Sequence, residues 1–186
     1  MSHRARFAVA FAATLALCVA GIAAEKELSA QAKTSLEQQT KVIAGWAAAP
    51  EIVAAVKEQN TKGPIAGMDN DKWKTLKRSD PEVKAFQENA AGKFLAAKIE
   101  GSKGLLAEAF LSGAQGEKVA FAAKTTYYIH KGKAKFDQPF NTGKPWQGPV
   151  EFDESSQAYT VQISVPVVDG GKPIGVLVVG VNVGSL

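Results

Sequence analysis

The sequence predicts an α+β fold, with a long N-terminal helix and shorter helices packed on a central antiparallel sheet of about five strands. Three observations predict it. Apolar residues recur at helical spacing as far as Gly101, and from Leu105 the period shortens to that of strands. The helical half precedes the strand half and does not alternate with it, which argues against a doubly wound parallel sheet. Two turn signals, Gly113-Ala114-Gln115-Gly116 and Val168-Asp169-Gly170-Gly171-Lys172, each join two apolar runs in the manner of a hairpin.

Residues 25 to 49 read as the first helix, with Leu28, Leu36, Val42, Ile43 and Trp46 near helical spacing among Lys and Gln. Pro50-Glu51 opens a second helix to about Glu58, since proline suits a first turn and an acid suits the positive end of the helix dipole. Asn60 to Gly67 is a loop, and Asp69 to Arg78 is helical and bears Trp73. Ser79-Asp80-Pro81-Glu82 is a helix start, and Val83, Phe86, Ala90, Ala91, Phe94 and Ile99 continue one stripe to a break at Gly101–Gly104. Strands follow at Ala109–Leu111 and Lys118–Ala123. Residues 124 to 152 read as irregular, punctuated by Gly132, Pro139, Gly143, Pro145, Gly148 and Pro149. A loop this long inside a compact domain points to function. Thr160 to Val167 alternates polar with apolar residues, as a strand with one covered face does, and Ile174 to Val183 is a buried strand whose Gly175 and Gly180 let another element approach.

The N-terminus has the pattern of a secretory signal. Arg4 and Arg6 precede an uncharged run from Phe7 to Ala20, and Gly21-Ile22-Ala23-Ala24 supplies small residues before Glu25-Lys26. The expected division is a signal peptide at 1–24 and one domain at 25–186, placed in the periplasm. An uncleaved membrane anchor is the alternative, though Phe7 to Ala24 is short and alanine-rich for a span. Cys18, the only cysteine, lies in this segment, so the remainder is expected to hold no disulfide or thiolate metal site. The formal charge is +4, and losing Arg4 and Arg6 leaves a small excess that argues against nucleic acid as a partner. Lys124, Lys131, Lys133 and Lys135 surround the aromatic Tyr127-Tyr128 pair, either as a solvated face or as a positive rim that draws in small anions.

In sum, a polar, aromatic loop lies over one face of a sheet and forms a cup for a small molecule. Several stretches resemble a known family. Phe110 to Ala120, Thr125-Thr126 with Tyr128, Asp153-Glu154-Ser155, and Pro166-Val167 through Gly175-Val176 are similar, in that order, to the motifs of Cache (PDC-type) extracytoplasmic sensor domains, and Asp69 with Trp73 resembles the family's upstream helix start. The resemblance covers most of the chain after the signal. It implies a PAS-like sheet with a ligand pocket, in a stand-alone single-domain form that relays to a separate signalling or transport partner. The sequence departs from the pattern at Tyr127, where the family has aspartate, at Ile129, where it has tryptophan, and at Lys131-Gly132-Lys133, where its run is acidic. Acid replaced by base moves the expected ligand toward a small organic anion, a carboxylate or amino acid.

The expected ligand-binding residues are Lys124, Thr126, Tyr128, Trp146, Asp153 and Trp73. Lys124 supplies a cation, Thr126 (or Thr125) a short hydroxyl, and Tyr128 a hydroxyl on a rigid ring facing inward, the last by the family match. Trp146 walls the cavity and offers its indole N–H. Asp153 accepts from a ligand or holds Lys124, and Trp73 either caps the pocket or belongs to the core. No cofactor or enzyme motif is present, and His130 is the only histidine beyond the signal, so a histidine-based metal site or hydrolase is disfavoured. A second reading is an interaction module that forms a homodimer through Leu28, Leu36 and Ile43, with a vestigial pocket.

Overall fold

Ser29 starts the ordered helical layer: its Oγ accepts the Ala32 N–H at 3.1 Å and caps α1 (Ala30–Ala47). The computed structural model describes residues 28–153 and 157–186. The segment 1–24 expected to be a signal, with its Cys18, and Glu154 and Ser155 lie outside the described residues. Helix α2 (Pro50–Lys62) follows with proline at its first turn, as predicted, and α3 (Asn70–Thr75) is capped by Asp69, whose Oδ1 accepts from Asp71 and Lys72 N–H.

The stripe read as one helix from Pro81 is two, α4 (Pro81–Glu88) and α5 (Ala90–Gly101). Asn89 divides them because its side chain serves two masters. Its Oδ1 caps α5 at Gly92 N–H, and its Nδ2 donates to Val119 O on the sheet.

The sheet is β1 (Leu106–Ser112), β2 (Lys118–Phe121), β3 (Trp146–Asp153), β4 (Ala158–Asp169) and β5 (Lys172–Asn182), in the order β2-β1-β5-β4-β3 with every neighbour antiparallel. Residues 124 to 152 are therefore not one irregular loop. They contain α6 (Ala134–Thr142) and the edge strand β3. Pro139 sits inside α6, and Gly143, at φ 66°, ends it by donating its N–H to Pro139 O.

Alternation along β5 separates two cores. Leu177, Val179 and Val181 pack with Leu36, Ile43, Ile52, Val56 and Leu95 on the face covered by α1, α2 and α5. Val176 and Val178 join Phe110, Phe121, Trp73, Phe86 and Phe136 on the other face. Leu36 and Ile43, named for the dimer together with Leu28, are thus buried in the chain's own core, and Leu28 packs against it; Val42, read as apolar in the first helix, is exposed.

Candidate functional site

The second face of the sheet is only partly covered. Trp73, Phe86, Phe121 and Tyr128 fill one end of it with rings whose centroids lie 5.6–6.2 Å apart, in edge or tilted contact. The segment that follows β2 is pinned to this cluster. Asn70 Oδ1 accepts the N–H groups of Tyr128 and Ile129 at 2.9 and 2.8 Å, Asn70 Nδ2 donates to Ile129 O, and Trp73 Nε1 donates to Thr125 O at 2.7 Å. At its far end His130 N–H donates to Gly116 O at 2.7 Å. Gly116 has φ 79°, and a Cβ there would lie 2.3 Å from Lys131 N, so the turn and the segment can meet only at glycine.

Between this pinned segment and the open part of the sheet lies a cavity of about 430 Å³. Lys124, Thr125, Thr126, Tyr127 and His130 line it from the segment, with Arg78 and Lys135 beside them. Glu108, Phe110, Thr160 and Gln162 form the sheet floor, and Glu151 and Asp153 stand at the β3 side. The lining thus holds the cations Arg78, Lys124 and Lys135 together with the carboxylates Glu108, Glu151 and Asp153. The floor is shaped by Gly180, where a Cβ would meet Glu108 Cγ at 2.8 Å. Its absence lets Glu108 lie across β5 and accept from Gln162 Nε2 on β4. Burial, reinforced by the Arg78 charge, lowers the Lys124 amine from its usual value, and its Nζ lies 4.7 Å from the Trp73 ring centre.

Of the six residues expected at the site, Lys124, Thr126 and Asp153 line this cavity. Tyr128 and Trp73 are fully buried beneath it. The Tyr128 hydroxyl accepts the Ile65 N–H at 2.9 Å, and burial raises its pKa. Trp146 opens β3 opposite Ser164, with its ring over Gly148, outside the lining. Arg78, Glu108, His130 and Gln162 were not among the expected residues, and Lys135 was read only as part of a lysine face or positive rim. The alternation Thr160-Gln162-Ser164 was the one signal for the floor. A second groove, between α2 and α4, is rimmed by Glu51, Glu58 and Glu82, and its Lys62 is engaged with Glu58. Among the described residues no group of three or more His, Cys, Asp or Glu side chains is placed to hold a metal ion, and no helix is long and apolar enough to cross a membrane.

The fold is similar to solved sensor domains. The DcuS sensor domain of E. coli matches with a TM-score of 0.51 at 15% identity, over 83% of this chain and 94% of that one. The ligand-binding domain of the Campylobacter jejuni chemoreceptor Tlp3, solved with 4-methylisoleucine, gives 0.42 at 16% identity over 83% of this chain and 61% of that one. The V. cholerae histidine kinase DctB sensor domain gives 0.42 at 16% identity, covering 83% and 58%. The chain thus spans less than two thirds of the length of the last two. No family model and no curated protein matches the sequence.

Proposed function

From a Cache (PDC-type) sensor-domain fold, which is the fold of this chain, we propose that the protein binds a small organic anion and relays its presence to a separate signalling or transport partner. The observation that carries this reading is the presence of Arg78, Lys124 and Lys135 in the lining of a cavity of about 430 Å³, a volume suited to a small metabolite. A carboxylate there gains charge-assisted hydrogen bonds from Lys124 and Lys135 and a short donor from Thr126. Glu151 and Asp153, also in the lining, suit the ammonium of an amino acid. The ligand class is therefore a short carboxylate, amino acids included.

The chain works as a non-enzymatic binding domain at 25–186, delivered to the periplasm by a signal at 1–24. Tyr128 and Trp73 contribute by holding the ligand-facing segment in place. The pinned segment supplies preorganisation, because few side chains must be ordered when the ligand arrives.

The test is a thermal-shift screen with acetate, succinate, L-malate, L-glutamate and L-asparagine, with the corresponding amines as controls. A ligand at a hundred times its Kd stabilises by roughly 2.7 kcal/mol. Stabilisation by at least one carboxylate and by none of the amines is expected. Stabilisation by none of the carboxylates contradicts the reading.

A further inference from the structure

Lys118 is the least expected side chain in the molecule. It is fully buried and forms no ion pair among the described residues. Regular alternation on β2 would place it with Ala120, on the helix-covered face. The register instead steps from Leu111↔Ala120 to Ser112↔Lys118, leaving Val119 as an extra residue. This bulge turns Lys118 to the cavity face, a common use of bulges near functional sites. There its Nζ lies 3.4 Å from the centre of the Phe110 ring and 3.2 Å from His130 Nδ1.

His130 lines the cavity and Lys118 does not, so the imidazole stands between the buried amine and the ligand space. Its ring is held by Phe110 at 4.6 Å and Tyr127 at 6.0 Å between centroids. Among the described residues Nδ1 has Lys118 as partner, whereas Nε2 donates to no protein group. Ser112 Oγ, on the residue opposite Lys118 in the ladder, is buried and without a hydrogen-bond partner. Buried polar atoms are rarely left so, and this cluster has polar capacity to spare.

We propose that Lys118 and His130 form the inner anion-recognition pair of the cavity, Lys118 keeping Nδ1 as the acceptor so that His130 presents Nε2–H to an anionic group of the ligand. The proposal rests on the carboxylate reading above. Lys118 acts as a positioning residue and His130 as the contact. The charged groups around the pair are Glu108 on β1, which attracts a proton to Lys118, and Lys133 and Lys135 before and within α6, which repel one from His130; Lys135 also repels one from Lys118. The neighbouring Glu117 is buried too; its Oε2 accepts from Gln115 N–H, while its Oε1 has no hydrogen-bond partner.

Burial holds the Lys118 amine well below its usual value, and burial with the Lys118 charge holds the His130 imidazole well below its own. An anion brought to His130 Nε2 favours the charged amine behind it, so whatever fraction of Lys118 is neutral in the free protein takes up a proton on binding. Linkage then fixes the sign: affinity is greatest below the free-state pKa of Lys118, falls as pH rises toward the bound-state pKa, and is level above it.

The experiment uses the full chain with succinate and L-glutamate as probes and Lys118→Met as the variant, a chain of similar length that suits an apolar site. Calorimetry in phosphate and Tris at one pH reads proton uptake from the dependence of heat on buffer. Nitrogen-15 spectra of the imidazole read the tautomer of His130 with no ligand added. Fractional proton uptake in the wild type, absent in Lys118→Met, is expected, with affinity lowered roughly tenfold to hundredfold. The free wild type is expected to show Nε2–H and no imidazole titration between about pH 5 and 8, the range in which an ordinary histidine titrates. Equal proton uptake in both proteins, or a His130 that titrates normally, overturns the pair while leaving the carboxylate reading intact. If neither probe binds and the acetate, malate and asparagine screen is also blank, the carboxylate reading falls and the pair's role falls with it.

Discussion

Gln162 Nε2 donates to Glu108 Oε1 at 2.5 Å across the bare backbone of Gly180, so two strands that are not neighbours are joined over the one between them. Gly180→Ala places a methyl group 2.8 Å from Glu108 Cγ. It is expected to displace Glu108, break the bond to Gln162, and destabilise by roughly 1–3 kcal/mol. In a Glu108→Ala background the same glycine change should cost much less, because the displaced side chain is gone. Urea denaturation of the four proteins of this cycle measures the difference.

Tyr128→Phe removes the acceptor of the Ile65 N–H, leaving a part-buried donor without its partner. The expected loss is roughly 1–3 kcal/mol in urea denaturation. The carboxylate-induced thermal shift should survive, because this side chain lies beneath the cavity and not in its wall. Loss of the shift in a protein of unchanged stability would contradict that placement.

Lys124→Ala and Lys135→Ala should behave in the opposite way. Both residues line the cavity from its rim, and surface changes of this kind typically alter stability by less than about 0.5 kcal/mol. Each should reduce the thermal shift given by succinate. An undiminished shift in both would move the anion elsewhere.

Lys118→Met is expected to stabilise the unliganded protein by about 1 kcal/mol or more, since a buried amine without an ionic partner opposes folding. Chemical denaturation at pH 7 tests this. A loss of stability would show that Lys118 contributes to folding through contacts that methionine cannot replace. Gain of stability with loss of ligand response is the pattern of a functional residue held against the preference of the fold.

The histidine makes a separate prediction about pH. His130 is held neutral in the folded chain, chiefly by burial, while the unfolded chain protonates it below about pH 6.5. The unfolded state therefore binds the extra proton, and stability present above that pH is lost as pH falls, by up to about 1.4 kcal/mol per unit. Denaturation at pH 7, 6 and 5 should show this slope in the wild type, and His130→Gln should flatten it over the range where carboxylates remain ionised.

Much of the fold was legible because local chemistry and global packing agree there. Asp69 starts a helix, Pro50 and Pro81 open two more, and Asp169-Gly170-Gly171-Lys172 closes the β4–β5 hairpin. The failures have local causes. Pro139 inside α6 and Gly148-Pro149 inside β3 hid both elements as loop, and β3 accommodates the pair with a register shift between Gln147 and Val150. For the site, the positive charge near the aromatic loop includes Lys124, which lines the cavity, whereas the largest rings are buried. Tyr128 and Trp73 look like ligand walls in a polar stretch, but burying them completes the second core. Lys118 was read as strand without a role because a bulge that reverses its facing leaves no mark in hydrophobic alternation.

The most direct test of the central claim is to follow backbone amide resonances while succinate or L-glutamate is added. The account predicts saturable shifts concentrated in Ala123–His130, Lys135, Glu108 and Thr160–Gln162, around the cavity on the open face of the sheet. Saturable shifts confined to the groove between α2 and α4, or none at all with any carboxylate of the screen, would contradict it.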